Sequence, residues 1–444
     1  MSEAASPEAP DLAAVSPVDE RLPAGPTSAL AIQHLLSAYA SLVVTPLILA
    51  AALDLPPATL TQLISAALVT SGLCTLIQCL GLGPHIGIRL PVVQGTTIAA
   101  VPALILIGSA YGLNAVFGAT IVAGVAALLA AGLWSRILAL FPPVVTGTVI
   151  TAIGISLLPV AIMWMSGSTA PGAHRVAPAD MALGFASLAI VVAVMRFGRG
   201  LLARSAILIG LMLGTGIAAL LGKVSLDAVA ATPWFTWVTP FAFGAPTFPL
   251  PACIAMLLVM LVTMIESTGD YLAIGEVCRK PVKPADIAAG IRAEGLGTAL
   301  GGIMNSFAFT TFSQNTGVLR ISGVRSRYVV AIAALFMIAL GLFPKLGAVV
   351  SIIPAPVLGG CALAMFGSIA VTGMHTLRQV DLEDNRNLVV VSVSLGLSLL
   401  VIANPLFFDG FGDNVKIALG NAITLAGVSA VALNALFNIF GRAR

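Results

Sequence analysis

Hydrophobic residues run through this chain in long blocks, separated by short polar interruptions that carry most of its charge. A helix crossing the hydrocarbon core of a bilayer needs about 20 mostly apolar residues. On that scale the blocks predict spans near 28–52, 60–82, 91–109, 113–134, 143–166, 181–198 and 202–222. A second set follows near 252–275, 287–305, 310–323, 328–347, 355–376, 386–404 and 420–440. The expected fold class is an all-α polytopic membrane protein of 14 spans. Polar residues interrupt the third and tenth spans, at Gln94-Gly95-Thr96-Thr97 and at Gln314-Asn315-Thr316-Gly317. These breaks lie 220 residues apart, close to the 224 separating the starts of the first and eighth spans. Seven is an odd number, so a second copy would cross the membrane in the opposite sense, giving 7+7 inverted repeats. Interrupted segments at matching positions of such repeats point to a transport site near the midplane. A chance pairing of two polar breaks is the simpler alternative.

Composition agrees with the pattern. The chain is 59% hydrophobic and 9% charged over 444 residues, against about 25% charged in soluble proteins. A net charge of +3 is too small to argue for nucleic acid. Its distribution is more informative: with 14 spans, 17 of the 21 lysines and arginines fall on the side of the two termini. Only Arg175, Lys223, Lys345 and Lys416 fall on the other side. The positive-inside rule then makes both termini cytoplasmic. Trp134, Trp164, Trp234 and Trp237 lie at or beyond span ends, as an interfacial belt would place them. Residues 1–27, rich in Pro, Ala and acid, are expected to form a disordered tail. The five cysteines, in or beside apolar runs, suit small apolar filler, with no metal-ligand spacing.

Charged groups inside spans demand an explanation, because each costs about 2.5–3.5 kcal/mol on insertion scales. Glu266 and Asp270 in the eighth span are four residues apart, hence on one helical face. Two such carboxylates repel when both are ionised, and burial favours their neutral form, so the pair suits proton uptake. A structural pair bonded to Ser267 and Thr268 is the alternative. His34 in the first span is either a hydrogen-bonding core residue or a proton relay. Glu294 in the ninth is either a site residue or an end charge reaching the boundary. Gln314 and Asn315 both donate and accept, which suits a planar ligand with alternating N–H and C=O edges. No phosphate-cradling loop, zinc spacing or nucleophile elbow is present, so no enzyme is expected.

The run from Gln314 to Gly323, followed by Arg325-Ser326-Arg327, resembles the signature of the nucleobase–ascorbate transporter family. Gln33-His34, Glu266-Ser267-Thr268-Gly269-Asp270, Arg292-Ala293-Glu294 and Asn305-Ser306-Phe307 are also similar to that family, over nearly the whole chain beyond the tail. The resemblance implies a core domain (28–134 and 252–347) and a gate domain (135–251 and 348–444), with the third and tenth spans part strand and part helix. It implies a homodimer in the bacterial inner membrane that moves its core by an elevator-type displacement. Substrate contacts would come from Glu266, Gln314, Asn315, Ser313, Thr97 and Ile98, and proton coupling from Asp270, His34 and Glu294. Thr316 and Ser322 depart from common residues of the family but keep hydrogen-bonding groups. The implied substrate is an oxidised purine, uric acid or xanthine; Gln314 argues against uracil, and Thr97 is more like the urate type. No cofactor or metal is expected, and H+ is the expected coupling ion. A pyrimidine carrier, an anion carrier and a channel remain as rivals.

Overall fold

In the computed structural model, the described residues are 16–134, 142–167, 177–199, 201–204, 206–312, 315, 318–319, 323–404, 406–408, 410–411, 420 and 422–439. The chain runs through α1 (Ala24–Ala52), α2 (Pro57–Leu80), β1 (Gln94–Thr96), α3 (Val101–Tyr111), α4 (Leu113–Ala130), α5 (Pro143–Met165), α6 (Pro178–Phe197) and α7 (Ala206–Leu220). It continues with α8 (Leu250–Val277), α9 (Pro284–Ile303), β2 (Phe309–Thr311), α10 (Arg327–Gly341), α11 (Ala355–Leu377), α12 (Asn385–Ala403) and α13 (Ala422–Asn434). Prolines open α2, α5, α6 and α9, where their missing N–H would have no helical partner anyway. A single residue, Gly112 at φ 80°, separates α3 from α4. That left-handed conformation is open to glycine at no steric cost.

Among the described residues, seven helices are long and apolar enough to cross a membrane: α2, α4 extended to Leu133, α5, α6, α8, α11 and α12. Shorter apolar helices include Ile98–Tyr111, Ala206–Leu220 and Arg327–Gly341. In the third apolar block, β1 is followed by a 3-10 turn, Ile98–Ala100, and then α3. In the tenth block β2 is described, whereas Ser313, Gln314, Thr316, Gly317 and 320–322 lie outside the described residues.

Helices α1–α4 and α8–α10 pack around the two strands, while α5–α7 pack with α11–α13. The pairings come in matched sets. α2 packs along α10 as α9 packs along α4; α1 meets α10 as α8 meets α4. α6 lies against α7 as α12 lies against α13, and α5 pairs with α11. Each set maps onto the other when first-half and second-half elements are exchanged in order. Small residues permit the closest crossings. A Cβ on Gly295 of α9 would stand 2.5 Å from Leu128 N on α4, and one on Gly124 of α4 would stand 2.3 Å from Ala299 N on α9. Backbones meeting that closely are how helices associate where lipid supplies no hydrophobic drive.

Two expectations need correction. The tail does not extend to residue 27: Val18 is fully buried, Arg327 N donates to Val18 O at 3.0 Å, and Arg327 pairs with Asp19 at 2.7 Å. α1 then begins at Ala24. The tryptophans do not form one belt. Trp234 and Trp237 are 73% and 70% exposed, but Trp134 and Trp164 are 2% and 0% exposed. Trp134 is held in the interior by a bond from Nε1 to Thr268 Oγ1 at 2.9 Å. All five cysteines are buried and free.

Candidate functional site

The two strands form an antiparallel ribbon with Gln94 opposite Thr311, Gly95 opposite Thr310 and Thr96 opposite Phe309. Bonds from Phe312 N to Val93 O (3.0 Å) and from Thr97 N to Ala308 O (2.9 Å) extend it at either end. Such a short ribbon inside an apolar bundle has edges that water cannot satisfy. Hydroxyls from three helices satisfy them instead. Thr75 of α2 accepts from Gln94 N at 2.9 Å, Ser267 of α8 from Thr311 N at 3.1 Å, and Thr298 of α9 from Phe309 N at 3.0 Å. Gly95 is required by the ribbon's packing, since a Cβ there would sit 2.0 Å from Phe312 Cζ.

Behind the ribbon lies a buried polar network. Gln78 of α2 donates from Nε2 to Tyr271 OH at 2.8 Å and to Gly290 O at 2.9 Å, and its Oε1 accepts from Ile88 N at 3.2 Å. Gln94 donates to Thr311 Oγ1 at 3.0 Å. Tyr271 OH donates to Glu294 Oε2 at 3.2 Å. Glu294 is 0% exposed, which rules out a charge reaching the boundary; its Oε1 and Gln94 Oε1 have no described partner. The helical break at Gln94 was visible in the sequence. Gln78 and Tyr271 were missed, and the only signal for Gln78 was an amide inside the apolar run Leu76-Ile77-Gln78-Cys79-Leu80.

A second buried contact joins α1 to the segment after β2. His34 Nδ1 bonds Asn315 Oδ1, and Asn315 Nδ2 donates to Pro91 O at 3.2 Å. Both side chains are buried, and His34 Nε2 has no described partner. The Asn315 amide is thus engaged within the protein on both of its polar atoms. Thr97 is buried too; its Oγ1 accepts from Ala99 N at 3.2 Å and so caps the 3-10 turn, while Ile98 is half-buried.

Glu266 differs from these. It lies on α8 next to Ser267, is half-buried, and no described residue hydrogen-bonds to its carboxylate. Asp270, one turn further along α8, is half-buried as well. None of the hydrogen bonds described at the ribbon involves a lysine or arginine. The structure therefore brings Glu266, Glu294, Thr97 and Ile98 to the ribbon and its flanks, with His34 and Asn315 coupled beside it. Ser313 and Gln314 lie outside the described residues.

The fold is similar to that of the transmembrane domain of a cyanobacterium bicarbonate transporter, BicA, with a TM-score of 0.58, 14% identity, and coverage of 92% of this chain and 97% of that one. At that identity the likeness concerns the fold alone. Over 420 residues the chain is 39% identical to the xanthine permease of Bacillus subtilis (strain 168), covering 95% of each. Over 409 residues it is 40% identical to the uric acid permease PucK of the same organism, covering 92% of this chain and 94% of that one. The family model described as "Permease family" (Xan_ur_permease) matches residues 25–407. With that match and those relatives, the chain belongs to this permease family, with the bacterial uric acid and xanthine permeases, and is a multi-pass membrane transporter and not an enzyme.

Proposed function

We propose that the chain is a proton-coupled secondary transporter that imports an oxidised purine base, uric acid or xanthine or both, by elevator-type alternating access. The observation that carries this reading is Glu266. Of the glutamates near the ribbon, Glu294 is sealed inside a hydrogen-bond network, whereas Glu266 is half-buried with a carboxylate that no described residue engages. An acceptor of that kind suits the N–H edge of a purine, and the Gln314 amide would take the carbonyl or nitrogen edge. A ligand lacking either partner leaves a buried polar atom unpaired, which is how such a clamp discriminates. Asn315, tied to His34 and Pro91, acts by fixing the segment that carries Gln314. The similar identities to a xanthine and a uric acid permease support both substrates.

Proton coupling follows from Glu266 and Asp270, whose mutual repulsion is relieved when one takes a proton; Glu294 and His34 support the pair. The matched packing sets support 14 spans in 7+7 inverted repeats. The helices around the ribbon would form the moving core (28–134 and 252–347), and the remainder the gate (135–251 and 348–444). α6 and α12 have the least buried apolar windows of the long helices, which supports a homodimer formed through the gate. The clustering of lysine and arginine on the side of the termini supports cytoplasmic ends in a bacterial inner membrane.

Uptake of labelled uric acid and xanthine by cells lacking purine carriers tests the reading. Glu266→Ala is expected to lose uptake at normal membrane abundance, and Asp270→Asn to retain binding while losing accumulation driven by a pH gradient. Near-wild-type accumulation by both variants would overturn these roles. Uptake competed by uracil but not by purines would favour the pyrimidine carrier.

A further inference from the structure

A cavity of about 710 Å³ opens where the connection from α2 to β1, the end of α4 and the start of α9 meet. His85, Arg89, Trp134, Lys280, Asp286 and Arg292 are among its lining residues. The connection is fastened in place. Gly87 N donates to Ala289 O at 2.9 Å, and Arg292 Nη1 donates to His85 O at 3.3 Å. Arg89 N donates to Gln78 O at 2.8 Å and its Nη2 to Gly83 O at 2.9 Å. Among the described residues no carboxylate forms an ion pair with Arg89, Lys280 or Arg292. Asp286, the acid of the lining, accepts from Lys283 N at 2.9 Å at the start of α9. Three cations face this cavity against one acid, so it carries a net positive charge.

We infer that this cavity holds the phosphate of an anionic glycerophospholipid. Basic pockets between helices at a membrane face suit such headgroups, and arginine forks match phosphate oxygens in pairs. The neighbouring surface selects a lipid over free phosphate. Leu129 and Leu133, one turn apart at the end of α4, are 75% and 55% exposed. Leu80 and Leu82 are exposed at the end of α2 and in the connection that follows it. These leucines flank the cations and offer acyl chains an apolar track that an inorganic ion would not use. The site shares no residue with the Glu266 region, and the inference needs only that the chain spans a membrane.

The purified full-length protein, in phosphatidylcholine nanodiscs doped with phosphatidylglycerol, gives the test, with bound lipid counted by native mass spectrometry after release. The wild type is expected to retain phosphatidylglycerol in preference to phosphatidylcholine. At about tenfold per 1.4 kcal/mol and about 1 kcal/mol per cation, Arg89→Gln with Arg292→Gln should weaken retention about thirtyfold. Lys280→Gln, whose side chain makes no described hydrogen bond, should weaken it about fivefold. Arg378→Gln, at the end of α11 and away from the cavity, should leave it unchanged. Undiminished retention by Lys280→Gln and the double variant would overturn the inference. So would displacement of phosphatidylglycerol by millimolar inorganic phosphate, which would make this a site for the free ion.

Discussion

Tyr271 is the residue on which most of the buried polar network depends. Its hydroxyl accepts from Gln78 and donates to Glu294, joining α2, α8 and α9 at one oxygen. Removing that oxygen leaves Gln78 with one bond fewer and Glu294 Oε2 without its donor. An unsatisfied buried polar group costs about 1–3 kcal/mol, so Tyr271→Phe is expected to lower the thermal midpoint of the purified protein by several degrees. An unchanged midpoint would mean that water replaces the hydroxyl. His34 and Asn315 make a second residue-scale case. Because each contacts the other, their effects should not add. His34→Ala, Asn315→Ala and the double variant should be compared by purine uptake. The double variant is expected to be no worse than the more impaired single one; a product of the two losses would show that they act separately.

At the scale of elements, the α4–α9 crossing depends on glycines that leave no room for a side chain. Gly295→Val would drive methyl groups into Leu128 N and Gly124 O of α4, both within 2.8 Å of a Cβ at that position. Overpacking of this kind costs about 1–3 kcal/mol or more, so the folded yield should fall sharply when followed by size-exclusion of a fluorescent fusion. A Cβ on Gly396 of α12 would meet nothing within 4 Å. Gly396→Ala should therefore match or exceed the wild type, since alanine is favoured over glycine inside a helix by about 1 kcal/mol. The same contrast explains the ribbon: its strands are only three residues each, and they persist because hydroxyls of α2, α8 and α9 take up their edge groups.

At the scale of the whole molecule, the matched packing sets mean that neither half could bury its helices alone. α2 needs α10 and α4 needs α9, each pair drawing one helix from either half. A site at the ribbon is therefore a property of both halves at once. The proton coupling proposed above would likewise be a property of the complete cycle. Accumulation of purine above the bath concentration is expected to collapse when a protonophore is added, with saturable uptake in its absence. Flux that does not saturate and ignores the protonophore would favour a channel.

The sequence by itself determined the class of molecule and the rough places of its helices, because the free energy of placing a segment in hydrocarbon is summed along about 20 neighbouring residues. It also marked Glu266, Asp270, Glu294 and the two polar breaks, since charge and irregular backbone are costly in that setting wherever they occur. Tertiary structure alone decided which of these groups meet. Gln78 finds Tyr271 from 193 positions away, and His34 finds Asn315 from 281 positions away. Nor did composition distinguish Trp134 and Trp164, enclosed in the interior, from Trp234 and Trp237 on the surface. Apolar length is a local quantity, whereas the pairing of a buried donor with its acceptor depends on what the rest of the chain brings beside it.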